Sequence, residues 1–161
     1  VGFAGFLHPV MTGEQNIRTL SDMMQIDAEW TNAFVEHFAE LGDHYQRPVQ
    51  EYSGGMRSRL ATSFSLAVPF PFYIADDSIG TGDAEFRAKC DMMMDHRLAD
   101  AGLFFATSNS RLAERYATRF AVITDAKLVE CGTIGEAKAL LETANEDEEQ
   151  FSRLLTGLKY A

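Results

Sequence analysis

The segment from Tyr52 to Asp83, YSGGMRSRLATSFSLAV followed by PFPFYIADDSIGTGD, constrains the chain more than any other. Ser53 is a strong N-cap residue, and Gly54 and Gly55 let backbone approach an anion closely. At a helix N-terminus, unpaired N–H groups and the dipole favour that anion. Met56, Leu60, Phe64 and Val68 then form an i, i+4 row, with Arg57, Arg59 and Ser63 on other faces. The spacing predicts an amphipathic helix. After Pro69, Phe70 to Ala75 is a near-continuous apolar run, as expected of a strand buried on both faces. It ends in Asp76 and Asp77, at the edge where open α/β sheets take ligands. A carboxylate there can hold Mg²⁺ through water. Side chains alternate along a strand, so the two acids face different ways: one can serve a metal and the other a water. Two solvated acids closing a strand are the plain alternative, as an ordinary helix cap is for Ser53.

The flanks extend this pattern. Thr12 with Gln15 reads as a capping box, followed by Ile17, Leu20 and Met24 at helical spacing. Asp27 caps a second helix with the stripe Trp30, Phe34, Phe38 and Leu41, stopped by Gly42. Residues 43–52 read as a polar connector. Beyond the acid pair, Asp83 caps a helix through Phe86, Cys90, Met94 and Leu98, closed by Gly102. Leu103 to Ala106 reads as a second buried strand, and a short helix starts at Ser110. Arg119 to Thr124 and Lys127 to Glu130 form a hairpin around Asp125 and Ala126, and Gly135 to Leu141 and Phe151 to Leu158 are closing helices. Strand, helix, strand with a long crossover predicts a parallel α/β core. The expected division is a helical lobe over about 10–68 and an α/β core over 69–161.

At 161 residues and 46% hydrophobic content the chain has a one-domain length and can bury a core. Its net charge of −10 argues against a nucleic-acid partner, which needs a basic face. Half of that charge lies between Glu142 and Glu149, a solvated run. Cys90 and Cys131 lack metal-ligand spacing and fit a reduced, cytosolic compartment. The longest apolar stretch, Leu66 to Ala75, is too short to span a bilayer.

The order of parts resembles the ABC-transporter ATPase, with its signature, Walker B strand and D-loop. YSGGMRSRLA looks like the signature of members that export capsular polysaccharide, O-antigen or related glycans. The resemblance runs from about Leu7 to Gly132. It implies the C-terminal part of a P-loop NTPase-like α/β domain, using ATP and Mg²⁺. Ser53, Gly54 and Gly55 would bind the γ-phosphate held by a second nucleotide-binding subunit. Asp76 would be the Walker B aspartate serving Mg²⁺ through water. Asp77 stands where the family has its catalytic glutamate; the shorter side chain withdraws the carboxylate by about 1.5 Å, a displacement that can cost on the order of a hundredfold in rate. Gly80 to Asp83 would be the D-loop at the dimer interface, with Asp83 among the nucleotide-binding residues. Asn109, in ATSNS, stands at the switch-histidine position, where an amide can hydrogen-bond but cannot relay a proton. A helix cap is its other reading. GFLHPVMTG resembles the permease-contacting Q-loop, with His8 at the glutamine position and so among the implied nucleotide-binding residues. The implied partners are a membrane permease and a second copy, and the implied location is cytoplasmic, peripheral on the inner face of the cell membrane.

Two departures hold the activity open. No G-x-x-x-x-G-K-[ST] occurs, so this chain carries no loop to cradle β- and γ-phosphates. In the family that motif lies upstream, which makes an N-terminally truncated domain the expectation. With Asp77 and Asn109 substituted, the alternatives are an ATPase subunit and a degenerate, non-hydrolysing regulatory or structural one. A receiver-like phosphoacceptor domain would also place an Asp pair at a strand end, but the order of its strands is wrong. Gly80-Thr81-Gly82 is no dinucleotide fingerprint, since Glu85 stands where a third glycine should.

Overall fold

The computed structural model describes residues 4–75, 82–124 and 126–143. Asp76, Asp77, Gly80, Thr81, Asp125, most of the acidic run and the closing helix at Phe151 to Leu158 lie outside them. The chain forms two compact units, Val1–Ala106 and Thr107–Ala161.

In the first unit, α1 (Gly13–Met24) starts in a complete capping box. The Gln15 amide donates to Thr12 Oγ1 at 3.1 Å, and the Thr12 amide donates to Gln15 Oε1 at 3.0 Å. Asp27 caps α2 (Ala28–Ala39) through the Trp30 amide. That helix ends three residues before the expected stop. Glu40 takes the left-handed conformation that closes the helix, at φ 52°, while Gly42, itself at φ 54°, opens the 3-10 turn Gly42–Gln46. The buried face of α2 is Thr31, Asn32, Val35, Phe38 and Ala39, while Trp30 is 52% exposed. Asn32 earns its burial by accepting a hydrogen bond from Tyr45 Oη at 2.8 Å.

The connector over 43–52 is not a polar surface loop. Tyr45, Val49 and Tyr52 are buried in the main core with Ile17, Val35, Leu60 and Phe64. Short 3-10 turns satisfy the local backbone, so the tyrosine rings enter the core without stranding amides. At Gly13 a Cβ would stand 2.7 Å from Tyr52 Oη and 2.9 Å from the Tyr45 carbonyl oxygen, so only glycine lets this connector close on α1.

The helix α3 (Gly54–Ala67) departs from the expected amphipathic pattern. From Leu60 onward nearly every side is covered, including Thr62 and Ser63. It is the central helix of the unit, packed by α2 and α4, so it has no solvent side in its second half. Ser63 and Ser65 satisfy their hydroxyls on the carbonyls of Arg59 and Ala61. Arg97, from α4 (Ala84–Leu98), donates to the Leu66 and Ala67 carbonyl oxygens and closes the C-terminus of α3.

The strands β1 (Phe72–Ala75) and β2 (Gly102–Phe105) pair in parallel, Phe72 with Gly102 through Ala75 with Phe105. Parallel pairing across an intervening helix was expected; burial on both faces was not observed. Tyr73 and Ala75 are buried, whereas Ile74 is 69% and Phe104 65% exposed. Among the described residues only one face of this pair carries a covering layer. Gly102 opens β2 rather than closing α4, which ends at Leu98.

In the second unit, α5 (Ser110–Tyr116) precedes the expected antiparallel hairpin, β3 (Phe120–Thr124) and β4 (Lys127–Cys131), with Phe120 opposite Cys131 and Thr124 opposite Lys127. Residues 134–143 are helical. Their start, one residue before the expected Gly135, is fixed by Thr133 as N-cap: the Glu136 amide donates to Thr133 Oγ1, and the Glu136 carboxylate reaches back to accept from the Gly132 amide. Val122, Cys131 and Ala137 form the small core of this unit.

Candidate functional site

Ser53 is the N-cap of α3, its Oγ accepting from the Met56 amide at 3.2 Å. Gly54 and Gly55 occupy the exposed first turn, where amides have no acceptor inside the helix. A Cβ at Gly54 would meet nothing within 4 Å, and one at Gly55 only Ser53 Oγ at 3.9 Å. Neither glycine has a positive φ. The chain's own packing therefore does not demand glycine at these two positions, although glycine weakens a helix by about 0.5–1 kcal/mol relative to alanine. What the glycines leave is a bare helix terminus open to an incoming anion.

The segment carrying His8 is bonded to the approach to this turn. The Gln50 amide donates to the Pro9 carbonyl at 2.8 Å, the Val49 amide donates to the Met11 carbonyl at 2.9 Å, and Thr12 bridges Pro48. Asn16 clamps the same segment from α1, with His8 N–H on its Oδ1 and its Nδ2 on the carbonyls of His8, Met11 and Thr12. Tyr52, the last buried residue before Ser53, has its hydroxyl pressed against Gly13, and burial pushes its ionisation upward.

Asp83 caps α4. Its Oδ1 accepts from the Phe86 amide at 2.9 Å and its Oδ2 accepts from Arg59 Nη1 at 3.0 Å. The Phe86 amide first, and Arg59 beside it, hold its carboxyl below the usual aspartate range. Gly82 precedes it at φ 114°, where a Cβ would stand 2.9 Å from Phe86 Cδ1, so this turn exit requires glycine. The structure thus brings the His8 segment, the Ser53–Gly55 turn and Asp83 onto one unit. Asn109 stands in the second unit, where its Oδ1 accepts from the Arg111 amide at 3.0 Å and caps α5. Asp76 and Asp77 lie outside the described residues.

Sequence reasoning missed Arg59 and Asn16. Spacing shows Arg59 only as lying off the apolar row, and an asparagine early in a helix carries no spacing signal. Cys90 is buried, and desolvation pushes its thiol up to about 12. A cleft of about 570 Å³ opens at the opposite end of α3, between Trp30, Val68, Pro69 and Met93. It contains none of the expected site residues.

Among known proteins, no family model matches the chain. Curated relatives do. It is 33% identical over 116 residues to the capsule polysaccharide export ATP-binding protein CtrD of Neisseria meningitidis serogroup B, covering 72% of this chain and 54% of that protein. It is 34% identical over 118 residues to the polysialic acid transport ATP-binding protein KpsT of Escherichia coli, covering 72% and 54%. With the teichoic acids export ATP-binding protein TagH of Staphylococcus haemolyticus it shares 31% over 120 residues, 74% of this chain and 46% of the relative. The chain spans about half the length of the curated relatives it matches. It belongs with the ATP-binding domains of ABC transporters, in the group whose members are named for polysaccharide and teichoic acid export. Its fold is the C-terminal part of that α/β, P-loop NTPase-like domain: a helical signature lobe with part of a parallel core.

Proposed function

We propose that the chain supplies the signature half of a composite ATP site, in a subunit that energises export of a capsular polysaccharide or related glycan. The bare Ser53–Gly55 helix terminus carries this reading. Its glycines have no packing reason in this chain, and its relatives are named as ATP-binding proteins. The γ-phosphate of ATP bound by a second subunit would accept from the amides of Gly54 and Gly55 and from Ser53 Oγ. ATP with Mg²⁺ supplies the transferable phosphoryl group. Asp76 is the residue we assign to the metal through water, and Asp77 the one we assign to orienting the attacking water. A membrane permease would be engaged through the His8 segment, holding the subunit on the cytoplasmic face. Among the described residues no helix is long and apolar enough to cross a membrane.

A second reading, a subunit that binds ATP without hydrolysing it, is favoured by Asn109. Its side-chain oxygen is spent on the cap of α5, and an amide relays no proton.

The test is Gly54→Asp in a chimera joining this chain to the phosphate-loop half of a relative such as the polysialic acid transport protein. An acid in a first helical turn is tolerated or favourable, so the fold and its melting temperature should hold. Against a γ-phosphate in a desolvated interface the same carboxylate is strongly repelled. Size-exclusion chromatography with Mg-ATP should show an ATP-dependent dimer for the parent chimera and none for the variant. A dimer of equal strength in the variant would reduce Ser53 to an ordinary helix cap.

A further inference from the structure

We propose that Arg59 is a positioning residue that locks the cap of α4, Asp83, to the helix bearing the Ser53–Gly55 turn, so that both reach a partner as one surface. Its functional consequence rests on the composite-site reading; the bracket itself does not.

Arg59 lies six residues after Ser53, about 9 Å along α3. Its guanidinium sends three donors in three directions. Nε donates to the Ala39 carbonyl at 2.9 Å, Nη2 to Glu40 Oε2 at 2.8 Å and Nη1 to Asp83 Oδ2 at 3.0 Å. Its Cζ sits 4.5 Å from the centroid of the Phe86 ring, and the side chain is only 20% exposed. The end of α2, the early turns of α3 and the start of α4 therefore meet at one planar cation. Lysine cannot reproduce this, because an ammonium has no fixed fork.

The partners are arranged to receive it. Glu40 is a non-glycine residue at φ 52°, a conformation L-residues adopt at a cost. That backbone sets its carboxylate between Arg59 and Lys89, and Lys89 also donates to the Phe38 carbonyl at 3.2 Å. The last carbonyls of α2 are thus closed by two cations, one from α3 and one from α4. At Asp83 one carboxylate oxygen is held by the Phe86 amide and the other by Arg59. Phe86 is fixed in turn by the edge of Phe38 and by the absence of a side chain at Gly82. Asp83 consequently acts through Arg59, within its own chain, rather than as a direct ligand of nucleotide.

The experiment begins on this chain with Arg59→Met, which keeps the stem over Phe86, Arg59→Lys, Asp83→Asn, which still caps, and the Arg59→Met/Asp83→Asn pair. Amide hydrogen exchange is followed under native conditions. Arg59→Met should speed exchange at the first turn of α4 by tenfold or more, with α1 unaffected, and Arg59→Lys should not rescue it. The pair should exchange no faster than Arg59→Met alone, because both changes break one unit. A uniform rise across all helices, or simple additivity of the two changes, would overturn the bracket and leave Arg59 as general packing. In the chimera, Arg59→Lys should weaken ATP-dependent dimerisation about tenfold with ATP binding by the monomer unchanged. If the parent chimera forms no ATP-dependent dimer while the exchange coupling holds, the composite-site reading fails and the bracket stands. Loss of ATP-dependent dimerisation in Asp83→Asn with exchange at α4 unchanged would make Asp83 a direct ligand of the partner's nucleotide and overturn the proposal.

Discussion

Asn16 and His8 hold each other twice: the His8 amide donates to Asn16 Oδ1 at 2.6 Å, and Asn16 Nδ2 donates back to the His8 carbonyl at 3.1 Å. With two further bonds to Met11 and Thr12, one side chain that is 2% exposed sets the course of the whole His8–Thr12 segment. Asn16→Ala should therefore destabilise the chain by about 2–3 kcal/mol, since it removes several bonds and strands backbone groups. Urea denaturation measures this. A loss under half a kilocalorie would mean that the segment is held by other contacts.

Two glycines should respond in opposite ways to the same substitution. Gly13→Ala forces a methyl into the Tyr45–Tyr52 contact and should cost about 1–3 kcal/mol. Gly54→Ala meets open space and should stabilise α3 by about 0.5–1 kcal/mol. Parallel thermal melts decide it, and equal destabilisation at both sites would contradict the packing described.

The 161-residue chain by itself should not bind Mg-ATP at micromolar affinity, because it has no phosphate loop and presents only a helix terminus. Isothermal titration is the direct measurement. A tight one-to-one isotherm would show that another segment grips the nucleotide.

The ion cluster at Glu40 predicts an acid dependence. The hydrogen bond from Lys89, with Arg59 beside it, holds the Glu40 carboxyl below its usual 4.5. A depressed carboxylate contributes stability that is fully present above the unfolded pKa and lost as pH falls through the folded one. Glu40→Gln should lower the melting temperature modestly at pH 7, because the group is partly exposed. The gap from the unsubstituted chain should shrink as pH drops below about 4.5. A gap constant from pH 7 to pH 3 would exclude an ionic contribution.

Local chemistry was readable directly from residue order. Thr12 with Gln15, Asp27, Ser53, Asp83 and Asn109 all cap the helices they precede, because a cap needs only a short polar side chain and amides two or three residues on. The hairpin at 120–131 and the parallel pairing of β1 with β2 follow likewise from alternation and from the length of the crossover. Position within the molecule was not readable. Whether α3 has a wet face, whether Tyr45 and Tyr52 are inside, and which face of β1 is covered depend on what packs there from distant parts of the chain. Glu40 could not be recognised as a helix stop. Its carboxylate is paired with Arg59 and Lys89, nineteen and forty-nine residues away, which no local pattern announces. Burial and charge pairing of this kind are sums over neighbours, and neighbours far apart in sequence are chosen only when the chain folds.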